Sequence, residues 1–279
     1  MRLFLFLKNI IRPPWDSQRS KTNLNLLTTF SAFKPHGNQE YKKFVPLLIK
    51  NINETIPTIS KIVDHFKESE IIDYLDYFEK NKHFESDSIR KLFEKNFNLY
   101  NSDKALNFYH YIYSCLISSF QDELNILEIG MGTNNPKIVS SMGKNGNPGA
   151  SLKAFRDTLP NSMIYGADID KEILFSDDKI KTFYVNQIDQ KSIDNLTKDI
   201  NVKLDLIIDD GLHYQLSNLN SLLFALNNLN DNGYLVIEDI GIWTLDTWKV
   251  IKRIIPANLE PTIIKMTDTN FVFIIKNTS

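Results

Sequence analysis

The sequence contains a single cysteine, Cys115, in 279 residues. One thiol excludes an intramolecular disulfide framework and any multi-cysteine zinc or iron–sulfur centre. An excess of one charge is lacking too. The 32 Lys and Arg residues stand against 34 Asp and Glu, a formal net charge of -2. That balance supplies no general basic field, so no nucleic-acid partner is expected. Long apolar runs are absent. Residues 1–7 are apolar apart from Arg2, but the run stops at Lys8 and shows no small-residue cleavage site. Neither stable membrane insertion nor a cleaved leader is therefore expected, and a cytoplasmic location is. What is present is ordinary globular composition, 42% hydrophobic and 24% charged. The length suits one large α/β domain, or a standard domain with an added lobe.

The pattern changes near residue 121. Before it, residues 44–67 and 71–97 carry apolar positions at three- and four-residue spacing, which predicts helices and no strand. Asn101-Ser102-Asp103 reads as the cap of a helix that begins near Lys104 and runs to Phe120. After it, short apolar runs alternate with helical segments. Strands are predicted over 125–129, 162–167, 182–185, 204–208 and 234–237, with a closing hairpin over 262–275. The reading is an α/β fold, a doubly wound Rossmann-like sheet with its ligand at the carboxyl ends of the strands. Residues 1–100 form a helical amino-terminal region, expected to act as a lid or to make a homo-oligomer interface, and 101–279 form the main domain.

The chemistry gathers at the strand ends. Glu128-Ile129-Gly130-Met131-Gly132-Thr133 follows the first strand, where glycines let the backbone approach a ligand. A dinucleotide fingerprint fails because Asn135 stands where its third glycine belongs. Asp168 ends the second strand and can accept both hydroxyls of a ribose, or can cap the turn. Gln187 and Asp189 follow the third and can read an adenine edge. Together these ends suit S-adenosylmethionine better than a dinucleotide. The segment 133–150, rich in Gly and Pro, reads as a binding loop or lid. Strand four ends Asp209-Asp210-Gly211-Leu212-His213, and strand five ends Glu238-Asp239. In a doubly wound sheet these ends are neighbours. Three carboxylates without a thiolate suit a hard cation, Mg2+ first, with Mn2+ or Ca2+ as alternatives, unless each acid merely caps a helix. His213 lies close enough to act as a general base, or to pack structurally.

These motifs resemble the metal-dependent sugar O-methyltransferases of the class I fold, a family that includes macrolide-sugar and capsule- or lipopolysaccharide-cluster enzymes. The resemblance rests on Glu128-Ile-Gly-Met-Gly132, Tyr165-Gly-Ala-Asp-Ile169, Asp209-Asp-Gly-Leu-His213 and Val236-Ile-Glu-Asp239, with Asn101-Ser-Asp-Lys-Ala-Leu-Asn-Phe-Tyr109 ahead of them. It implies a class I methyltransferase sheet and an S-adenosylmethionine-dependent enzyme. The implied acceptor is a sugar or nucleotide-linked sugar, and the implied setting is bacterial capsule or surface polysaccharide. Asp210, Glu238 and Asp239 would hold the metal and His213 would be the base. The cofactor set would be Glu128, Gly130, Gly132, Thr133, Ser151, Asp168, Ile169, Gln187, Asp189 and Asp209. Methylation of another oxygen, such as a phosphate-type group or a natural product, and a non-catalytic assembly protein on the same fold, remain the alternative readings.

Overall fold

The computed structural model describes residues 41–120 and 123–278, and for residues 41–48 the helical backbone alone. The chain divides into two units between Lys67 and Glu68. In the first, α1 (Tyr41–Phe66) is a 26-residue helix that leaves Ile52, Ile59, Ile62 and Phe66 exposed. Among the described residues, no helix is long and apolar enough to cross a membrane.

The second unit is built on one nine-stranded sheet. Its strands are β1 (Ile71–Asp73), β2 (Asn125–Ile129), β3 (Met163–Asp168), β4 (Ser176–Asp177), β5 (Ile180–Tyr184), β6 (Leu204–Asp209), β7 (Leu229–Gly241), β8 (Thr262–Lys265) and β9 (Asn270–Lys276). The spatial order is β1-β8-β9-β7-β6-β2-β3-β5-β4. The run β5, β3, β2, β6, β7 is parallel throughout, and β9 enters antiparallel between β7 and β8. The expected doubly wound sheet with a closing hairpin is therefore present. The order of winding reverses between β2 and β6, with β3 and β5 added on one side and β6 and β7 on the other, the position at which such sheets open a ligand crevice.

Both faces are covered, so the strands read as continuous apolar runs rather than alternating ones. Alternate residues still go to opposite layers. Ile126, Ile208, Val236 and Ile274 pack with α2 (Tyr74–Asn81), α3 (Ser86–Leu99), α4 (Tyr109–Ile117) and α5 (Ala150–Thr158). Leu127, Ile207, Leu235 and Phe273 pack on the other face, with α6 (Gln190–Ile200), α7 (Gln215–Asn228) and α8 (Leu245–Ile254). Phe155 of α5 sits at the centre of the first layer. Its ring lies 5.1 Å from Phe93, 5.8 Å from Phe97 and 5.1 Å from Tyr113, edge to face with each.

Three expectations about the amino-terminal part need correction. Residues 71–97 are not one helix. Ile71–Asp73 extends the sheet, Asp73 then caps α2 by accepting from Leu75 N at 3.0 Å, and the chain breaks again before α3. Too short to show a period of two, that strand is held by its parallel pairing with β8. The helix expected from Lys104 starts at Tyr109, after turns over 101–108 that end with Phe108 in a left-handed conformation. And the compact unit starts at Glu68 rather than near residue 101, because β1 and α2 to α4 belong to the sheet and its first layer. The expected lid or oligomer interface is assigned to residues 1–100, of which 1–40 lie outside the described residues.

Candidate active site

Sheet register sets the floor of the site. Ile129, Asp209 and Ile237 lie opposite one another on β2, β6 and β7. Gly130, Asp210 and Glu238 therefore emerge at one level, with Asp210 N donating to Ile129 O at 2.9 Å. The strand ends are pressed together here. Gly130 has φ +91°, and a Cβ on it would stand 2.3 Å from Asp210 O, so only glycine fits. On β7 the ladder to β9 slips between Ile237 and Ile240, and Asp239 takes φ +53°. That bulge separates two adjacent acids, since bulges re-aim side chains. Glu238 stays buried, 1% exposed, while Asp239 is turned outward and half-buried.

Two clefts open over this floor. The first, about 350 Å³, is mainly apolar. It is lined at the ends of β2, β3 and β5 by Gly130, Gly132, Thr133, Asp168, Ile169 and Asn186. The second, about 420 Å³, is more polar and holds Lys104, Ser151, Asp210, His213 and Asp239. Gly130, Gly132, Ser140, Asp210 and Gly211 line both. The irregular segment 133–149 walls each of them, with Lys137, Ile138 and Val139 on the first and Met142, Asn145 and Gly146 on the second.

At the junction Asp210, His213 and Asp239 each offer one ligand atom, all within 4.8 Å of one another. His213 also has a left-handed backbone, φ +55°, with Nε2 3.9 Å from Asp210 Oδ1 and a buried, unpartnered Nδ1. Two carboxylates and an imidazole, all half-buried, form a donor set that fits a small hard cation. Glu238 is engaged elsewhere. Its carboxylate accepts from Lys104 Nζ and from the Tyr113 hydroxyl. Tyr109 donates to Asp239 Oδ1 at 2.7 Å, and Asn270 Nδ2 reaches the same oxygen at 2.7 Å.

The electrostatics follow from burial and from these partners. Burial alone would lower the Lys104 ammonium, but Asp210, Glu238 and Glu128 outweigh it and hold the group well above its ordinary range. Burial pushes the Glu238 carboxyl up, against the pull of Lys104. At Asp239, burial works upward, yet hydrogen bonds from Tyr109 and Asn270 together with His213 and Lys104 bring the group below the usual carboxylate range. Burial raises Asp168, partly countered by backbone N–H groups. Its Oδ2 accepts from Met131 N at 3.0 Å and its Oδ1 from Asp170 N at 2.9 Å. The residue lines the first cleft.

Of the residues singled out in the sequence for a cofactor, Gly130, Gly132, Thr133, Asp168, Ile169 and Gln187 line the first cleft. Gln187 has its amide turned to the protein. Nε2 donates to Asp209 Oδ1 at 2.8 Å, and Oε1 accepts from Leu212 N at 2.9 Å. Asp209 is fully buried beneath the floor, bonded to Asn218 as well. Ser151 lines the second cleft and donates to Glu128, itself buried. Asp189 is the outlier. It is exposed, caps α6 by accepting from Lys191 N at 3.1 Å, and lines neither cleft. Sequence reasoning missed Lys104, Tyr109, Tyr113 and Asn270 as members of the site. Only the segment 101–104 ahead of the core gave any signal of them.

No protein-family model matches the chain. Over 141 residues, half of the chain, it is 26% identical to the 8-demethyl-8-α-L-rhamnosyl tetracenomycin-C 2'-O-methyltransferase of Streptomyces olivaceus. Over 123 residues, 44% of the chain, it is 28% identical to the mycinamicin VI 2''-O-methyltransferase of Micromonospora griseorubida. These curated relatives are sugar O-methyltransferases. The matched stretches span 35% and 28% of their lengths, so the chain corresponds to about a third of each. Among solved structures it is similar to the mycinamycin-pathway methyltransferase MycE, solved with Mg, SAH and mycinamycin VI. The TM-score is 0.52 at 20% identity, over 66% of this chain and 53% of that one. The unit has the class I methyltransferase fold.

Proposed function

We propose that the chain is an S-adenosylmethionine-dependent O-methyltransferase acting on a sugar hydroxyl, in the assembly of a bacterial capsule or surface polysaccharide. The observation that carries this reading is the convergence of Asp210, His213 and Asp239 where an apolar cleft meets a polar one. The first cleft would take the methyl donor, with Gly130 and Gly132 at its floor and Asp168 on the ribose. The second would take the acceptor. Asp210 and Asp239 would hold the divalent cation, with Glu238 behind them on Lys104. Bound there, the donor supplies an electrophilic methyl group and the cation lowers the pKa of the acceptor hydroxyl.

The remaining work falls to the protein. His213, 31% exposed beside Asp210, removes the hydroxyl proton and holds it on the imidazole. Tyr109 and Asn270 fix Asp239 in its carboxylate form. The wall 133–149 excludes water from both clefts, and rigid strand ends keep the reacting groups aligned. The sugar O-methyltransferase activities of the two curated relatives support the same substrate class.

The deciding experiment is transfer of labelled methyl from adenosylmethionine, screened over nucleotide-activated sugars and capsule fragments, with calorimetry for adenosylmethionine, adenosylhomocysteine and NAD. EDTA should abolish turnover and leave most donor binding intact. Full turnover in metal-free enzyme would remove the cation from the scheme. Binding of NAD in place of adenosylmethionine would remove the methyltransferase reading altogether.

A further inference from the structure

The scheme above leaves one buried cation without a task. Lys104 is 2% exposed and belongs to the turns over 101–108, not to any strand end. Its Nζ lies 2.7 Å from Asp210 Oδ2 and 3.2 Å from Glu128 Oε1, and it donates to Glu238. An ammonium has three hydrogens, and here three carboxylates face it. The backbone holds it in place. Tyr109 N donates to Lys104 O at 3.0 Å, Ser102 N to Phe97 O at 2.8 Å, and Asn147 Nδ2 to Tyr100 O at 2.9 Å. Bonded to Asp210 and Glu238 and 2% exposed, Lys104 meets the second cleft as an anchored cation rather than as a proton-transfer group.

Asp210 is shared. Oδ2 is on Lys104, while Oδ1 faces His213 Nε2 across 3.9 Å. One carboxylate thus joins a fixed internal cation to the place where a mobile one would sit. Four acids within one cluster repel each other strongly at low effective dielectric unless a positive charge stands among them. We infer that Lys104 is a positioning residue that sets the charge of the divalent-ion site. It keeps the acids assembled while the site holds no ion, and by cancelling one negative charge it keeps ion binding weak enough to reverse. The inference rests on the reading of Asp210, His213 and Asp239 as the ion site, and adds to that reading a determinant of its affinity.

The test is Mn2+ binding to the 279-residue chain, read by electron paramagnetic resonance and calorimetry without donor or acceptor. Lys104→Met should bind Mn2+ at least tenfold more tightly than the parent and should melt lower without metal, with a larger rise on adding it. Lys104→Met combined with Glu238→Gln removes one charge of each sign and should return to within threefold of the parent. A folded Lys104→Met protein with parental or weaker Mn2+ affinity would overturn the inference. If that variant does not fold, Glu238→Gln alone decides. Its binding should weaken at least fivefold with Lys104 left unbalanced, and parental affinity would overturn the charge account. A parent that binds no Mn2+ would instead overturn the underlying ion-site reading, so the two failures are distinct.

Discussion

The site is assembled from two sides that obey different rules. The strand-end side supplies acceptors, the carboxylates of Glu128, Asp168, Asp210, Glu238 and Asp239. Ladder hydrogen bonds place them, and a strand slipped by one residue would send each to the opposite face. The helical side, residues 101–117, supplies donors, the Lys104 ammonium and the Tyr109 and Tyr113 hydroxyls. No ladder holds them. The two tyrosines are placed by aromatic packing of α3, α4 and α5 around Phe155, and Lys104 by the backbone hydrogen bonds of the turns before α4. The sheet concentrates negative charge, and the helical layer makes that concentration tolerable.

The comparison can be broken from either side. The largest effect should come from the strand-end side. His213→Ala should lose roughly 10²–10⁴-fold in kcat, the usual contribution of a positioned proton acceptor, while calorimetric adenosylmethionine affinity is retained. Near-parental kcat in a folded His213→Ala protein would eliminate the base. On the helical side the expected loss is of stability first. Phe155→Ala should cost about 3–5 kcal/mol in denaturant unfolding, because a fully buried ring leaves a cavity at the junction of three helices. Tyr109→Phe removes one donor from Asp239 and should lower kcat about tenfold, in line with a hydrogen bond to a charged group. An unchanged kcat would mean that the helical side only packs.

The smallest effect concerns pH. Burial works upward on Asp157, but hydrogen bonds from Tyr100 and Arg156 hold its carboxyl below the usual range. A carboxyl depressed in the folded state stabilises above the unfolded-state pKa of about 4, and that stabilisation is lost as pH falls through the lower folded value. Tyr100→Phe should therefore reduce stability near neutral pH and converge on the parent once pH has fallen below the depressed folded value. The pair is partly exposed, so the difference should stay within about 0.5 kcal/mol in melts across that range.

The strand-end side was legible in the sequence because parallel strands announce themselves as apolar runs, and four of the five ended in Gly, Asp or Glu, the run over 182–185 ending in Asn186 and Gln187. Topology then forced the ends of β6 and β7 together, which is why Asp210, His213 and Asp239 were in view before the fold was. The sequence offers Glu238 and Asp239 alike as metal ligands. Adjacent strand residues point oppositely, and the bulge that re-aims Asp239 has no one-residue signature. Asp189 caps α6 and lines neither cleft, a place the sequence does not distinguish from a ligand's because the two roles use the same residue at the same kind of turn. Lys104, Tyr109 and Tyr113 were hidden for another reason. They look like the polar and aromatic residues of any amphipathic segment, and their role exists only across more than a hundred residues of intervening chain.

One backbone angle carries a last consequence. His213 occupies a left-handed conformation that favours glycine, and its Nδ1 is buried without a partner. Left-handed geometry costs a side-chain-bearing residue about 1–2 kcal/mol. His213→Gly should therefore be about 1 kcal/mol more stable than His213→Ala in thermal melts, with both equally inactive. The chain would then be holding an imidazole at a position where folding alone selects no side chain, a trade of fitness to fold against fitness to react.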